Sequence, residues 1–96
     1  MKKTGTVYIL ASKKNGTLYV GFTTDLPRRI EEHRLEIGSK FTAQYNVKRL
    51  VWFEEHDLIT QAIIREKTIK KWPRQWKINQ IEENNPHWHD IRWQLV

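Results

Sequence analysis

Near the start of the chain, two short hydrophobic runs flank a polar segment. The runs are TVYILA (residues 6–11) and TLYVG (residues 17–21), and both are rich in the β-branched and aromatic side chains that favour strands. Between them lies Asn15-Gly16, the dipeptide that best tolerates the positive φ angles of tight hairpin turns. The pattern therefore predicts a β-hairpin.

The spacing of apolar residues changes to that of a helix directly after the second run. Thr24 or Asp25 can cap this helix, and Pro27 suits its first turn because amides there have no intrahelical partner. We expect the helix over about residues 26–37. Its apolar stripe comprises Leu26, Ile30, His33 and Ile37. His33 is then either a core-edge imidazole held by one hydrogen bond or a functional group.

The rest of the chain predicts one more strand and two more helices. Residues 48–54 (KRLVWFE) are apolar at their centre and bounded by charges, as in a short strand. A helix follows from Asp57, which can cap it, and Pro73 ends that helix and begins another that runs to about residue 83. Residues 41–45 are expected to form a turn or short helical piece. The order β-β-α-β-α-α predicts an α+β fold in which a three-stranded, largely antiparallel sheet packs with helices.

Composition limits the possible classes of protein. Ninety-six residues, 39% of them hydrophobic and five of them tryptophan, suffice for one core, so residues 1–96 are expected to form a single domain. The absence of cysteine excludes disulfides and thiolate metal sites. No apolar run is long enough for a membrane span or a secretory signal. We therefore expect a cytoplasmic protein without a membrane partner, and we favour a monomer.

The net charge of +6 favours a polyanionic partner, because lysine and arginine side chains that neutralise phosphates release condensed counterions. Positive charge is concentrated just after Glu66, where a basic helix face is either simply solvated or follows a phosphate backbone. We expect nucleic-acid contacts from Arg28, Lys40, Lys67, Lys70, Lys71 and Arg74.

Glu66 stands in the middle of an apolar stripe on the helix that follows Asp57. The stripe comprises Ile59, Ala62, Ile63, Glu66 and Ile69. An ionised carboxylate without a partner is costly to bury, so Glu66 needs a counter-charge. The structural interpretation is that a lysine or arginine bridges it. A metal site at His87, His89 and Asp90 is not expected, because their spacing matches no strong ligand pattern.

Three motifs in order resemble the GIY-YIG nuclease superfamily. They are Tyr8, then Tyr19-Val20-Gly21, and then DLPRRIEEH at residues 25–33. The first triplet, Thr6-Val7-Tyr8, keeps the superfamily's tyrosine but lacks its glycine and isoleucine.

Further motifs are similar to those of small stand-alone bacterial members of that superfamily. These motifs are FTAQY at residues 41–45, LVWFE at 50–54, AIIREKTIKKW at 62–72 and NPHWHD at 85–90. The resemblance thus covers nearly all of residues 6–90.

The resemblance implies a set of catalytic roles. It implies that Glu66 holds one Mg²⁺ or Mn²⁺ ion weakly, and that Tyr8 and Tyr19 position or deprotonate the attacking water. Arg29 would face the scissile phosphate, and His33 is the second candidate for proton transfer. The superfamily often adds an asparagine near the glutamate. Asn79 fits that spacing, whereas Asn85 lies in the more distinctive NPxW signature and is favoured here.

The leading functional hypothesis is a metal-dependent endonuclease that hydrolyses phosphodiester bonds in DNA. The degenerate first triplet keeps a second hypothesis open, a nucleic-acid-binding module of the same fold that does not cleave. A third class is a basic protein-interaction domain whose tryptophans face a partner. It would show an exposed aromatic patch and no salt-sensitive affinity for nucleic acid.

Overall fold

A computed structural model describes residues 4–95 of the chain. The strands are β1 (Gly5–Ala11), β2 (Leu18–Thr23) and β3 (Arg49–His56). They form one antiparallel sheet with the order β2-β1-β3. The helices are α1 (Leu26–Arg34), α2 (Lys40–Gln44), α3 (Ile59–Lys70) and α4 (Arg74–Asn84), followed by a 3₁₀ turn at Arg92–Leu95. The predicted α+β class, antiparallel sheet and element order are confirmed.

The central strand β1 separates two hydrophobic clusters, because successive side chains of a strand point to opposite faces. Val7 belongs to the cluster that contains Ala62 of α3, whereas Tyr8 belongs to the cluster that contains Ile30 of α1. Helices α1 and α3 therefore lie on opposite faces of the sheet. A Cβ atom at Gly5 would lie 2.7 Å from Cβ of Ala62, so glycine at this position lets α3 pack directly on β1.

The predicted hairpin is present, but its turn is longer than a two-residue turn. The backbone N–H of Ser12 donates to the carbonyl of Thr17, and Gly16 N–H donates to the carbonyl of Lys13, both at 3.0 Å. Asn15 adopts φ 59°, whereas no glycine among residues 4–95 has a positive φ. Asn15 alone thus supplies the left-handed residue of this turn.

Helix α1 begins as predicted and ends earlier than predicted. The Asp25 carboxylate caps it by accepting from Arg28 N–H at 3.2 Å. Its end is closed by Ile37 N–H, which donates to the carbonyl of Glu32 while Glu36 adopts φ 65°. The expectation that Ile37 continues the apolar stripe is wrong, because the chain has left the helix and this side chain is 70% exposed.

Helices α3 and α4 both begin without a side-chain cap. The prediction that Asp57 caps α3 is wrong: Leu58 occupies the N-cap position, and no side chain caps this end. The predicted break at Pro73 is confirmed, since Pro73 is the N-cap residue of α4.

The segment after α4 returns to the sheet through a buried tryptophan. Trp88 is fully buried, and its indole N–H donates to the Glu82 carboxylate at 2.7 Å. Ile91 N–H then donates to the Leu50 carbonyl at 2.8 Å, which anchors the C-terminal segment on β3. No helix within residues 4–95 is long and apolar enough to cross a membrane.

Candidate active site

The Tyr8 hydroxyl oxygen contacts two side chains of helix α1. Nε2 of His33 lies 3.0 Å from it, and Nε of Arg29 donates to it at 3.4 Å. Arg29 and His33 are one turn apart on α1, so they project toward the same strand residue. The structure thus brings together three of the predicted catalytic residues.

Gly21 makes room for this hydroxyl. It is paired with Tyr8 across β1 and β2, and a Cβ atom at this position would lie 2.6 Å from the Tyr8 oxygen. Any larger residue would displace the phenol from Arg29 and His33. The third residue of the Tyr19-Val20-Gly21 motif therefore has a steric role, which the sequence interpretation did not assign to it.

Tyr19 extends the cluster toward solvent. Its ring centroid lies 6.3 Å from that of Tyr8 and 5.4 Å from that of His33, with the His33 ring edge-on. Tyr19 is half-buried, whereas Tyr8 is almost fully buried. The structure therefore places both predicted tyrosines beside the same imidazole.

Two further contacts hold Arg29 in place. Its terminal nitrogens donate to the Gly38 carbonyl at 2.8 Å and to the Glu32 carboxylate at 3.2 Å. Burial opposes the charged guanidinium, but its hydrogen bond to Tyr8 and the contacts with Glu32 more than offset this, so the Arg29 pKa is raised. Arg29 is therefore a fixed positive charge beside the Tyr8 hydroxyl.

A hydroxyl on α2 holds the other side of the imidazole. Nδ1 of His33 lies 3.0 Å from Oγ1 of Thr42, which itself lies 2.9 Å from Oγ of Ser39. Both His33 and Thr42 are fully buried. The contact of Thr42 with His33 was not expected from the sequence, because nothing local shows that α2 packs on α1.

Burial sets the protonation states of the cluster. It raises the pKa of Tyr8 to about 12, and burial together with the positive charge of Arg29 lowers the pKa of His33 to about 4. At neutral pH a phenol therefore faces a neutral imidazole. We assign the Tyr8 O–H as donor to Nε2 and the Nδ1–H as donor to Thr42, an arrangement that gives each group a partner.

Glu66 is a buried residue of α3. It is 5% exposed, and Nζ of Lys70 contacts its carboxylate at 2.5 Å. The lysine bridge considered from the sequence is therefore present, and the Lys70 side chain is half exposed. Helix α3 contacts both β1 and β2, the strands that carry Tyr8 and Tyr19.

Glu66 offers one buried carboxylate, and oxygen is the donor type that hard divalent cations prefer. Residues 4–95 contain no group of three or more His, Cys, Asp or Glu side chains that could hold a metal ion. Mg²⁺ commonly binds through one or two carboxylates, with water and substrate phosphate oxygens as its other ligands. One buried carboxylate thus fits an ion that binds together with its substrate.

The predicted basic contacts divide into two groups. The first comprises Lys40, Lys67 and Lys71, which are exposed to solvent, and Arg28, which is exposed and lies 3.8 Å from the Glu32 carboxylate. In the second group, Lys70 is occupied by Glu66, and the Arg74 guanidinium donates to the Asn15 and Gly16 carbonyls at 2.8 and 2.6 Å. Arg74 therefore links α4 to the hairpin, and its expected phosphate contact stays a prediction.

Asn85, the favoured site asparagine, is the C-cap residue of α4, and its catalytic role stays a prediction. Its amide nitrogen donates to the carbonyls of Val51 and His89, and its oxygen accepts from His89 N–H. These bonds use its donors and acceptor to fix the loop after α4, so Asn85 has a structural role. Asn79 is exposed and accepts from Gln75. Neither asparagine contacts the Tyr8 cluster.

Comparison with known proteins gives the class of this chain. The model of the GIY-YIG catalytic domain matches residues 4–79, and the chain belongs to this family. Among its relatives is a UPF0213 protein of Haloquadratum walsbyi, 39% identical over 77 residues, which are 80% of this chain and 85% of the relative. A UPF0213 protein of Staphylococcus haemolyticus is also 39% identical over 77 residues, which are 80% of this chain and 93% of that protein.

A solved structure agrees with the fold. The solution NMR structure of the UPF0213 protein BH0048 from Bacillus halodurans is 30% identical, with a TM-score of 0.56, and the match covers 92% of this chain and 93% of that one. The resemblance to small stand-alone members of the superfamily is thereby confirmed.

Proposed function

We propose that this protein is a divalent-metal-dependent endonuclease that hydrolyses phosphodiester bonds in DNA. The observation that carries the proposal is the Tyr8 oxygen, held between the cationic Arg29 and the neutral His33. Membership of the GIY-YIG catalytic domain family and the net charge of +6 support it. The negative charge of a phosphodiester substrate would be stabilised by the Arg29 guanidinium.

Tyr8 and His33 form a path for a proton. A phenol with a pKa of about 12 is a poor base alone, but its proton already points at Nε2 of His33. As the attacking water loses a proton to the Tyr8 oxygen, the phenol proton passes to the imidazole. The charge of a bound phosphate favours the imidazolium form and so raises the basicity of His33.

Arg29 and Glu66 have separate roles. Arg29 faces the negative charge that develops on the phosphate oxygens, and its contacts with Gly38 and Glu32 hold it in place before substrate arrives. Glu66 would hold the divalent cation. Such an ion, when bound, lowers the pKa of water and offsets phosphate charge. Tyr19, beside Tyr8 and His33, would orient the water or the phosphate.

Cleavage of labelled single-stranded, duplex and branched DNA with Mg²⁺ or Mn²⁺ tests the proposal. Glu66→Gln and Arg29→Ala should abolish metal-dependent cleavage while melting as folded proteins. Glu83→Gln and Arg34→Ala serve as matched controls, because they remove exposed charges of the same sign outside the cluster. Cleavage at the wild-type rate by Glu66→Gln or Arg29→Ala would contradict the proposal.

A module that binds nucleic acid without cleaving it is the second candidate. Burial of Tyr8 favours it, because a pKa of about 12 keeps the phenol protonated in the free protein. This candidate predicts binding that weakens with salt in proportion to the phosphates contacted, and no metal-dependent product from any DNA of the panel.

A further inference from the structure

Three aromatic rings lead from the candidate active site to solvent. The Tyr19 ring lies beside His33, the Phe41 ring stacks on Tyr19 with 6.2 Å between centroids and 30° between planes, and the Tyr45 ring lies 4.9 Å from Phe41. We call Tyr19, Phe41 and Tyr45 the aromatic ladder. Exposure increases along it: Tyr19 is half-buried, Phe41 is 43% exposed and Tyr45 is 49% exposed.

The outer part of the ladder is not core packing. Phe41 and Tyr45 belong to neither hydrophobic cluster. Helix α2 is anchored by the buried Thr42, whereas the rings of Phe41 and of Tyr45, which follows the helix, remain partly exposed. Such a line of exposed rings next to a candidate active site indicates a partner with flat apolar faces.

The chemistry around the ladder favours nucleobases as that partner. Helix α2, with the sequence KFTAQ, contains no acidic residue, and its first residue is the exposed Lys40. Arg29 lies at the inner end of the ladder, beside Tyr8. Bases stack on aromatic side chains while nearby cations follow the backbone, which is how proteins bind single-stranded nucleic acid.

We propose that the aromatic ladder stacks on unpaired bases next to the scissile phosphate, so that the substrate is single-stranded or locally unpaired DNA. This inference rests on the proposed function. In an intact duplex each base is already stacked on its neighbours, so the three rings gain contacts only where a strand is unpaired.

Binding in EDTA tests the ladder without cleavage. Fluorescence anisotropy would compare a labelled oligothymidylate with a duplex of the same length, using wild type, Phe41→Leu and Tyr45→Leu. Leucine keeps apolar volume but removes the aromatic face. Trp76→Leu is the matched control, because Trp76 is exposed on α4, outside the ladder. Melting temperatures would verify that each variant is folded.

Each ladder variant should bind the oligothymidylate roughly tenfold more weakly, with duplex binding and the Trp76→Leu control changed less than about twofold. Unchanged affinity for the oligothymidylate in both ladder variants would overturn the inference, as would an equal loss for the duplex. If the wild type cleaves no DNA but the ladder variants lose single-strand binding, the proposed function fails and the ladder stands. If the wild type cleaves duplex and single strands equally and the ladder variants do too, the ladder fails and the nuclease stands.

Discussion

Oγ1 of Thr42 lies 3.0 Å from Nδ1 of His33, and both side chains are fully buried. This contact joins α2 to α1 and leaves Nε2 of the imidazole directed at the Tyr8 hydroxyl. A Cβ atom at Gly38 would lie 2.6 Å from the same Nδ1, so the chain between the two helices also packs closely on the ring. The orientation of His33 thus depends on residues outside its own helix.

Thr42→Val should reduce cleavage by roughly tenfold or more, because the imidazole loses the acceptor that fixes its tautomer. It should also lower the free energy of unfolding by about 1–3 kcal/mol, since Nδ1 is left buried without a partner. Single-turnover rates and urea unfolding measure the two effects, and nitrogen NMR of His33 reports the tautomer. Thr42→Ser should restore most of each property.

Thr68→Val is the control for that substitution, because its hydroxyl is exposed and donates to the Ile64 carbonyl of its own helix. If Thr42→Val keeps the wild-type rate and the wild-type His33 tautomer, Thr42 has no positioning role.

The stability of the protein should fall on acidification through a window set by His33. Its pKa is 6.5 unfolded and about 4 folded, so between these values the unfolded chain binds more protons. The free energy of unfolding should therefore fall as pH drops from about 6.5 to about 4, by at most about 1.4 kcal/mol per pH unit from this group.

Urea unfolding at several pH values measures this dependence. His33→Gln should reduce the slope within that window, whereas His89→Gln, which removes an exposed imidazole, should keep it. An equal slope in wild type and His33→Gln would show that the buried imidazole does not titrate as proposed.

Alanine substitutions of Asn85 and Asn79 should differ in their effect on the free energy of unfolding. Asn85→Ala is expected to lower the free energy of unfolding by about 1–3 kcal/mol, because it leaves the Val51 and His89 backbone groups without partners. Asn79→Ala should change it by less than about 0.5 kcal/mol, as is usual on a surface. Chemical denaturation measures the free energy of unfolding of both variants. An unchanged value in Asn85→Ala would contradict the structural role of Asn85.

Substitutions of Arg74 and Lys67 should have different effects on DNA binding, although both residues were expected to contact phosphate. Lys67→Gln should reduce the slope of log binding constant against log salt by about 0.7 for a single strand. Arg74→Gln should leave that slope unchanged and lower stability instead, because its guanidinium bonds the carbonyls of the hairpin turn. DNA titrations at several salt concentrations, with thermal melts, compare them. A reduced salt slope in Arg74→Gln would show that Arg74 contacts phosphate.

Much of the fold followed from local patterns. The hairpin, the Asp25 cap and the Pro73 break depend on residues next to them in sequence, and these predictions are confirmed. The ends of elements were less predictable, because the early exit from α1 is decided by backbone geometry at Glu36.

The residues of the candidate site that lie in recognisable sequence motifs were predictable. The tyrosines, Arg29 and His33 were expected together and lie together. The contact of Thr42 with His33 and the stacking of Phe41 on Tyr19 were not expected, because both depend on how α2 packs against α1 and β2. That relationship is not visible in the pattern of a five-residue helix.

Single-turnover cleavage by wild type and Tyr8→Phe, with Mg²⁺ and the DNA that is cut best, tests the Tyr8 hydroxyl most directly. Phenylalanine fills the same space but lacks the oxygen that contacts Arg29 and His33. Tyr8→Phe should bind DNA as the wild type does and cleave it about 10²-fold or more slowly. A wild-type cleavage rate in Tyr8→Phe, or no metal-dependent product from the wild type on any DNA of the panel, would contradict a nuclease centred on Tyr8.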